Sequence, residues 1–343
     1  LNFGNGRLSI RATNLDTYVK VELQAETTGE AELAIPYAIL QKFVARCGSD
    51  FLMAEAKLST IFLADLENKT DINAVSAAEF PPSPDGADVQ FVEISTNRLA
   101  GIINETIRFA SYDVSRFVLN GIHLNAEPDV HEAVATDGHR IVIVPIGSEK
   151  SFVEKDATPS GKIIVATSGA EVLRQVLPRD AQAVLTQQLS GNKLAVRVKQ
   201  NEHDYEVFVS LVQATFPNYR QVIPKDYGAE KTFTVDRVPL HAAINRLAVI
   251  ATVASHKVKL TLNAGVLQLD ACAPDLANGK EDIRVTGGTE GLTATVCLNP
   301  EFLLDLVNSW SDEKLTIAIN DTSSPVLFSA AGKQAVIMPV RSA

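Results

Sequence analysis

The sequence has little of what several protein classes require. Its three cysteines, Cys47, Cys272 and Cys297, lie far apart and match no metal-ligand spacing. That excludes a disulfide framework and a thiolate-held metal, and it fits a reducing cytoplasm. No run of about 18 apolar residues occurs, so no transmembrane helix is expected, and the opening residues show no basic-then-apolar leader. A cytoplasmic protein without membrane partners is the expectation. Only 6% of residues are aromatic. No aromatic-rich basic run suggests a platform for stacking single-stranded bases. Basic residues are outnumbered, 31 against 41 acidic, for a net charge of -10. A surface that grips nucleic acid all over is therefore excluded, although a basic strip on one face is not.

Catalytic signatures are equally scarce. The six histidines show no pairing that would hold zinc, and no Gly-x-Ser-x-Gly elbow, phosphate loop or dinucleotide fingerprint appears. No metal and no cofactor are expected.

What is present is repetition. One helical pattern begins at Pro36, Gly169 and Pro300, a period of about 130 residues. Apolar positions follow at Ile39, Leu40 and Phe43, at Val172, Leu173 and Val176, and at Leu303, Leu304 and Val307. A second pattern, Leu-x-x-x-Ile-Asn, occurs at Leu99 and returns at Leu240. Each copy of either pattern follows strand-like material. Two kinds of half-unit alternate, which predicts an α+β fold of three similar domains, their helices packed on one face of curved antiparallel sheets. Proline-rich and acidic stretches divide them into residues 1–86, 87–228 and 229–343. One period before Leu99 lies ahead of residue 1, so the first domain is expected to lack its opening strand and helix.

The helical segments carry Lys42, Arg46, Arg98, Arg108, Arg174, Arg237 and Arg246 on polar positions. These are either solvated helix faces or one surface turned toward a polyanion. Contacts made only to phosphates would bind DNA without reading its sequence.

The stretch "VATDGHRIVIVP" from Val134 to Pro145 is the one place where catalysis could be sought. Asp137 and His139 could form an acid-base pair in a hydrolase, but no nucleophile accompanies them. Asp-Gly between β-branched runs instead predicts a two-residue hairpin turn, with Thr136 opposite His139. Alternation then places Val134, Thr136, His139, Ile141 and Ile143 on one face and Arg140, Val142 and Val144 on the other. A half-buried hairpin and a binding surface of mixed polarity both fit.

Together, "FVLNGIHL" (Phe117 to Leu124), "VATDGHRI" (Val134 to Ile141), "FPNYRQVIP" (Phe216 to Pro224) and "AVIMPVR" (Ala335 to Arg341) resemble the signatures of the bacterial DNA polymerase III beta subunit family, the sliding clamps. They occur in the family's order over essentially the whole chain. The resemblance implies three DNA-clamp domains per chain, with helices inside, sheets outside and two chains joined head to tail in a ring. It implies a non-enzymatic processivity factor that encircles double-stranded DNA without sequence specificity. Implied partners are the replicative polymerase catalytic subunit, the clamp loader, other proteins bearing a clamp-binding peptide, and a second copy of the chain. A truncated clamp-like peptide-binding module that does not encircle DNA is the alternative.

Carried over by motif, the resemblance implies a peptide pocket formed by Leu119, Thr136, Gly138, His139, Arg140, Ile141, Pro217 and Val222. It is completed by Ser323 and by Val336, Ile337, Met338, Pro339, Val340 and Arg341. DNA contacts are implied for Arg98, Arg108, Tyr112, Arg116, Arg174, Arg237 and Arg246. Ring closure would centre on Ile72, with Val249 and Ile250 on the other side. Gln221 stands where many relatives carry arginine, which makes one pocket rim less basic, and the loop from Thr322 to Pro325 matches the family only loosely.

Overall fold

The computed structural model describes residues 1–340 apart from 49–50, 66–67, 85–87, 128–129, 148–160, 189–191, 226, 228–230, 255, 264 and 288–292. Arg341, expected in the pocket, lies outside the described residues. Among the described residues the five α-helices are α1 (Tyr37–Val44), α2 (Thr96–Thr106), α3 (Thr167–Val176), α4 (Arg237–Ala254) and α5 (Pro300–Ser309). Each coincides with one of the repeated apolar patterns. α3 begins at Thr167, before Gly169, and buries that glycine within its first turn.

Local chemistry explains where the helices start. Ser95 precedes α2 and its hydroxyl accepts from the Arg98 amide. Asn299 caps α5 by accepting from the Glu301 amide at 2.8 Å, and Pro300 occupies the first helical position, where a missing N–H costs nothing.

The chain folds as two compact units, residues 1–90 with 176–210, and residues 91–175 with 211–343. In the first unit, antiparallel strands run in the order Val75–Ser76, Ala31–Ala34, Asn2–Gly4, Arg7–Thr13, Thr17–Gln24, His203–Ser210, Lys193–Gln200 and Gln182–Gln188. A separate three-stranded sheet orders Met53–Lys57, Thr60–Asp65 and Asn68–Asn73. Its inward residues Ile61, Leu63 and Ile72 join Leu33 and Ala74 in a core, against which Leu40 and Phe43 of α1 pack. Ile72 was expected at the centre of ring closure. It is instead 3% exposed, because alternation along its strand turns it inward opposite Ile61.

In the second unit one sheet has eight antiparallel strands. Their order is Lys162–Ala166, Gly121–Glu127, Val130–Thr136, Arg140–Pro145, Lys333–Ile337, Val326–Ala330, Lys314–Ala318 and Thr232–Asp236. Segments more than 150 residues apart in sequence thus meet where Arg140–Pro145 pairs with Lys333–Ile337. A four-stranded sheet, ordered Ala277–Arg284, Val266–Ala273, Val258–Asn263 and Thr293–Leu298, supports α4. Gly279 lets α4 approach closely there, since a Cβ would come within 2.6 Å of the Leu247 side chain and 2.7 Å of that of Ile250, and those methyls would have to shift. α4 packs along α5, burying Leu240, Ile244 and Leu247 beside Leu303, Leu306 and Val307. No helix among the described residues is long and apolar enough to cross a membrane.

Candidate docking site on the hairpin sheet

The hairpin forms, but its turn is wider than the dipeptide rule predicts. Thr136 pairs with Ile141, not His139, which leaves residues 137–140 to make the loop. Only Gly138 takes a positive φ, +90°; Asp137 does not. The reason is that the Asp137 side chain does the closing. Its Oδ1 accepts from the amides of His139 at 2.9 Å and Arg140 at 3.1 Å, an alternative to the tight backbone turn. The Thr136 hydroxyl donates to the Arg140 carbonyl at 2.6 Å and accepts from the Gly138 amide at 3.1 Å.

The register shifts by two residues, so the facing survives. Val134, Ile141 and Ile143 form one buried cluster with Val336 and Tyr219, and Phe216, Ile223 and Leu327 pack against it. This is the expected apolar face. Around it lie the exposed residues Pro217, Val222, Gly138, His139 and Met338, with Thr136 partly buried. The Met338 amide donates to the His139 carbonyl at 2.9 Å, which ties the chain's last strand to the hairpin tip. Pro339 and Val340 continue from it half-buried, and the Val340 amide donates to the Cys297 carbonyl at 2.8 Å. Leu119 is buried at the end of the 3-10 segment Val114–Leu119.

Two expected pocket residues turn away. Arg140 pairs with Ile337 across the strands, one residue out of step with Ile141 and Val336, so both side chains sit on the opposite face. There the Arg140 guanidinium is buried against Asp137 and Asp305. What Arg140 and Ile337 offer the docking face is backbone. Ser323 is exposed in a loop whose Asp321 accepts from the hydroxyl and amide of both Ser324 and Ser323, which holds that carboxyl well below the usual range.

Sequence reasoning missed the support beneath the 211–224 segment. His123 is buried and stacks on Phe216, with ring centroids 4.7 Å apart and planes 7° from parallel, and Tyr219 meets it edge-on. The Tyr219 hydroxyl bonds Glu132, and Arg220 bonds the same carboxylate at 2.5 Å. Burial, reinforced by the Glu132 bond, raises the Tyr219 phenol to about 12. A Phe-x-x-Tyr spacing in a loop was the available signal, but nothing local names His123 as its partner.

Burial lowers the His123 pKa to about 4; the nearby Lys162 adds to the shift, while the Ile163 carbonyl and Glu127 oppose it. The folded value lies below the unfolded one, near 6.5, so between them the unfolded chain binds the proton more readily. Stability contributed by neutral His123 is present above about pH 6.5 and is lost as pH falls toward 4, by about 3 kcal/mol. Urea unfolding from pH 7 to pH 4 should show that loss, and His123→Phe should flatten it. An unchanged slope in the variant would assign the pH dependence elsewhere.

The helix cations divide into two kinds. Arg98 gives its guanidinium to the Pro145 and Ile146 carbonyls and to Glu105, and Arg237 donates to the carbonyls of Asp312 at 3.0 Å and Val307 at 3.1 Å. Both are engaged in holding the fold, because helix-end carbonyls and strand ends need donors. Arg174 with Glu171 and Arg246 with Glu281 form exposed two-point pairs, the arginines lowering the pKa of each carboxyl. Arg108 lies 3.4 Å from Asp305 and is half exposed, while Arg116 reaches Asp113 and the Asp137 carbonyl and Tyr112 is exposed. Such exposed pairs exchange partners at little cost. Among the described residues no cluster of three metal-ligating side chains occurs.

The model of the DNA polymerase III beta subunit central domain matches residues 93–218, and that of its C-terminal domain matches residues 220–341. The chain belongs to the DNA polymerase III beta subunit family. It is thus a DNA sliding clamp, a non-catalytic processivity factor of replication that works with DNA, a polymerase and other copies of itself. The beta sliding clamp of Rickettsia felis is 25% identical, over 99% of this chain and 90% of that protein. That of Synechococcus elongatus is also 25% identical, over 98% and 89% respectively. The Thermotoga maritima DNA polymerase III beta subunit structure superposes with a TM-score of 0.86 at 24% identity, covering 100% of this chain and 90% of that one. The Pseudomonas aeruginosa sliding clamp gives 0.83 at 21%, covering 99% and 91%. At these identities the structures establish the clamp fold.

Proposed function

We propose that this clamp encircles duplex DNA in the cytoplasm as a head-to-tail ring of two chains, each of three domains. It tethers the polymerase catalytic subunit, clamp loader and other partners by a peptide docked on the hairpin sheet. The observation that carries the docking reading is the apolar cluster Val134, Ile141, Ile143, Val336 and Tyr219, bordered by the exposed Val222 and Met338. Exposed apolar residues around a packed floor, with His139 as polar edge, suit an anchored peptide with a leucine and an aromatic end. Met338 supplies a wall that adapts to several partners. The paired but exposed Arg108, Arg174 and Arg246, with Arg116 and Tyr112, are the groups to meet phosphates and sugars.

Of the residues expected at ring closure, two keep surface in the single chain and one does not. Val249 is exposed and Ile250 half-buried on α4, whereas Ile72 belongs to its own core. Among the described residues the Asn68–Asn73 strand is the last of its sheet, so its outer backbone edge is what a second chain would meet.

His139→Ala should weaken binding of a fluorescein-labelled peptide containing glutamine, leucine and a terminal phenylalanine by about tenfold. The side chain is exposed, so the loss should come without a fall in unfolding midpoint. Wild-type affinity in this variant would defeat the docking assignment. Light scattering at micromolar concentration tests the ring, and a monomer throughout would favour the peptide-binding module that does not encircle DNA.

A further inference from the structure

Behind the docking face, a line of charges runs from the helix surface to the hairpin loop. Arg108, which follows α2, is half exposed and reaches one oxygen of Asp305 on α5 at 3.4 Å. The other oxygen of Asp305 accepts from Arg140 at 2.8 Å. Arg140 also donates to Asp137 at 2.9 Å and to the Arg108 carbonyl at 2.6 Å. Its guanidinium lies 5.0 Å from the Phe109 ring centroid and 4.4 Å from that of Phe302. Asp137 in turn holds the His139 and Arg140 amides that shape the loop.

We propose that Asp305 and Arg140 are positioning residues that link phosphate contact at Arg108 to the setting of the hairpin loop, so that DNA and partner peptide bind cooperatively. This rests on the docking and DNA readings above. Arg140 is the desolvated member, and a buried guanidinium needs its carboxylates. Arg108 is the solvated one, and its long contact with Asp305 contributes little. A phosphate therefore draws Arg108 away at small cost. Asp305 is then left to Arg140 alone, which no longer shares that carboxylate with a second cation. Arg140 and Asp137 hold the loop more firmly, and a loop ordered before the peptide arrives lowers the entropy lost on docking. Linkage makes the effect reciprocal: bound peptide tightens DNA by the same factor.

The test uses the full chain, the labelled peptide described above and a short blunt DNA duplex. Each ligand is titrated alone, and the peptide is then titrated at saturating duplex. The peptide Kd should fall about fivefold with duplex present. Asp305→Asn should bring that ratio to about one, and Asp305→Glu should restore it in part, a pattern that simple destabilisation would not give. Arg108→Gln changes an exposed side chain and provides a second variant. Duplex should bind it more weakly, and at saturation the peptide should no longer respond. A protein that binds neither ligand overturns the docking and DNA readings together with the linkage. One that binds both with a ratio near one, or keeps its ratio in Asp305→Asn and Arg108→Gln, overturns the linkage alone.

Discussion

Deletion of residues 338–343 lowers the affinity for the labelled partner peptide by about a hundredfold or more. The reasoning starts from where the last strand ends. Lys333–Ile337 is held on both sides, by Arg140–Pro145 and by Val326–Ala330, so truncation after Ile337 spares every strand pair. What it removes is Met338, an exposed wall beside the apolar floor, and the Met338 amide that holds the His139 carbonyl. Pro339 and Val340, which carry the chain along the Cys297 backbone, go with it. The fold should survive, with circular dichroism and unfolding midpoint close to those of the full chain, while fluorescence polarisation reports the loss of binding. Undiminished affinity would remove the carboxyl-terminal segment from the docking site.

Lys333→Ala has the largest expected effect on stability. Lys333 is 7% exposed, and its ammonium lies 3.1 Å from Glu105 of α2, bonds Asp312 beyond α5, and approaches the face of Trp310. Glu105 is bonded on its other side by Arg98, and the Asp312 carbonyl by Arg237. Removing the central cation leaves two carboxylates facing each other in a poorly hydrated place, a loss of about 3 to 5 kcal/mol. For a unit of this size the unfolding midpoint should fall by about 10 °C. Adding Glu105→Gln and Asp312→Asn to Lys333→Met should recover much of the loss, since no uncompensated charge then remains. A thermal scan in which the alanine variant matches wild type would show that water replaces the ammonium.

The same network shows why part of the site could be read in advance and part could not. Alternation along Val134–Ile143 is a property of neighbouring residues, and it named the apolar face correctly even though the turn was wider than expected. Arg140 fell on the other face by the same parity, yet the motif resemblance assigned it to the pocket. Motif membership does not say which way a side chain points. Helical spacing places Arg98 and Arg237 on polar positions, and the resemblance implies DNA contacts for both. Their carbonyl partners at Ile146 and Asp312 lie 48 and 75 residues away and give no local sign.

By itself the sequence determined the five helices, through apolar spacing and residues suited to helix starts, and the facing of the hairpin, through a period of two. Its motifs carried the family. Both periodicities are short-range, so they survive in a linear reading. Only the tertiary structure decided which cations stay exposed, that Ile72 is a core residue, that His123 props Phe216, and that Asp305 stands between Arg108 and Arg140. Each of these depends on segments distant in the chain meeting across a sheet or a helix pair. Burial, hydrogen bonding and charge pairing act on that proximity, which no local pattern of residues records.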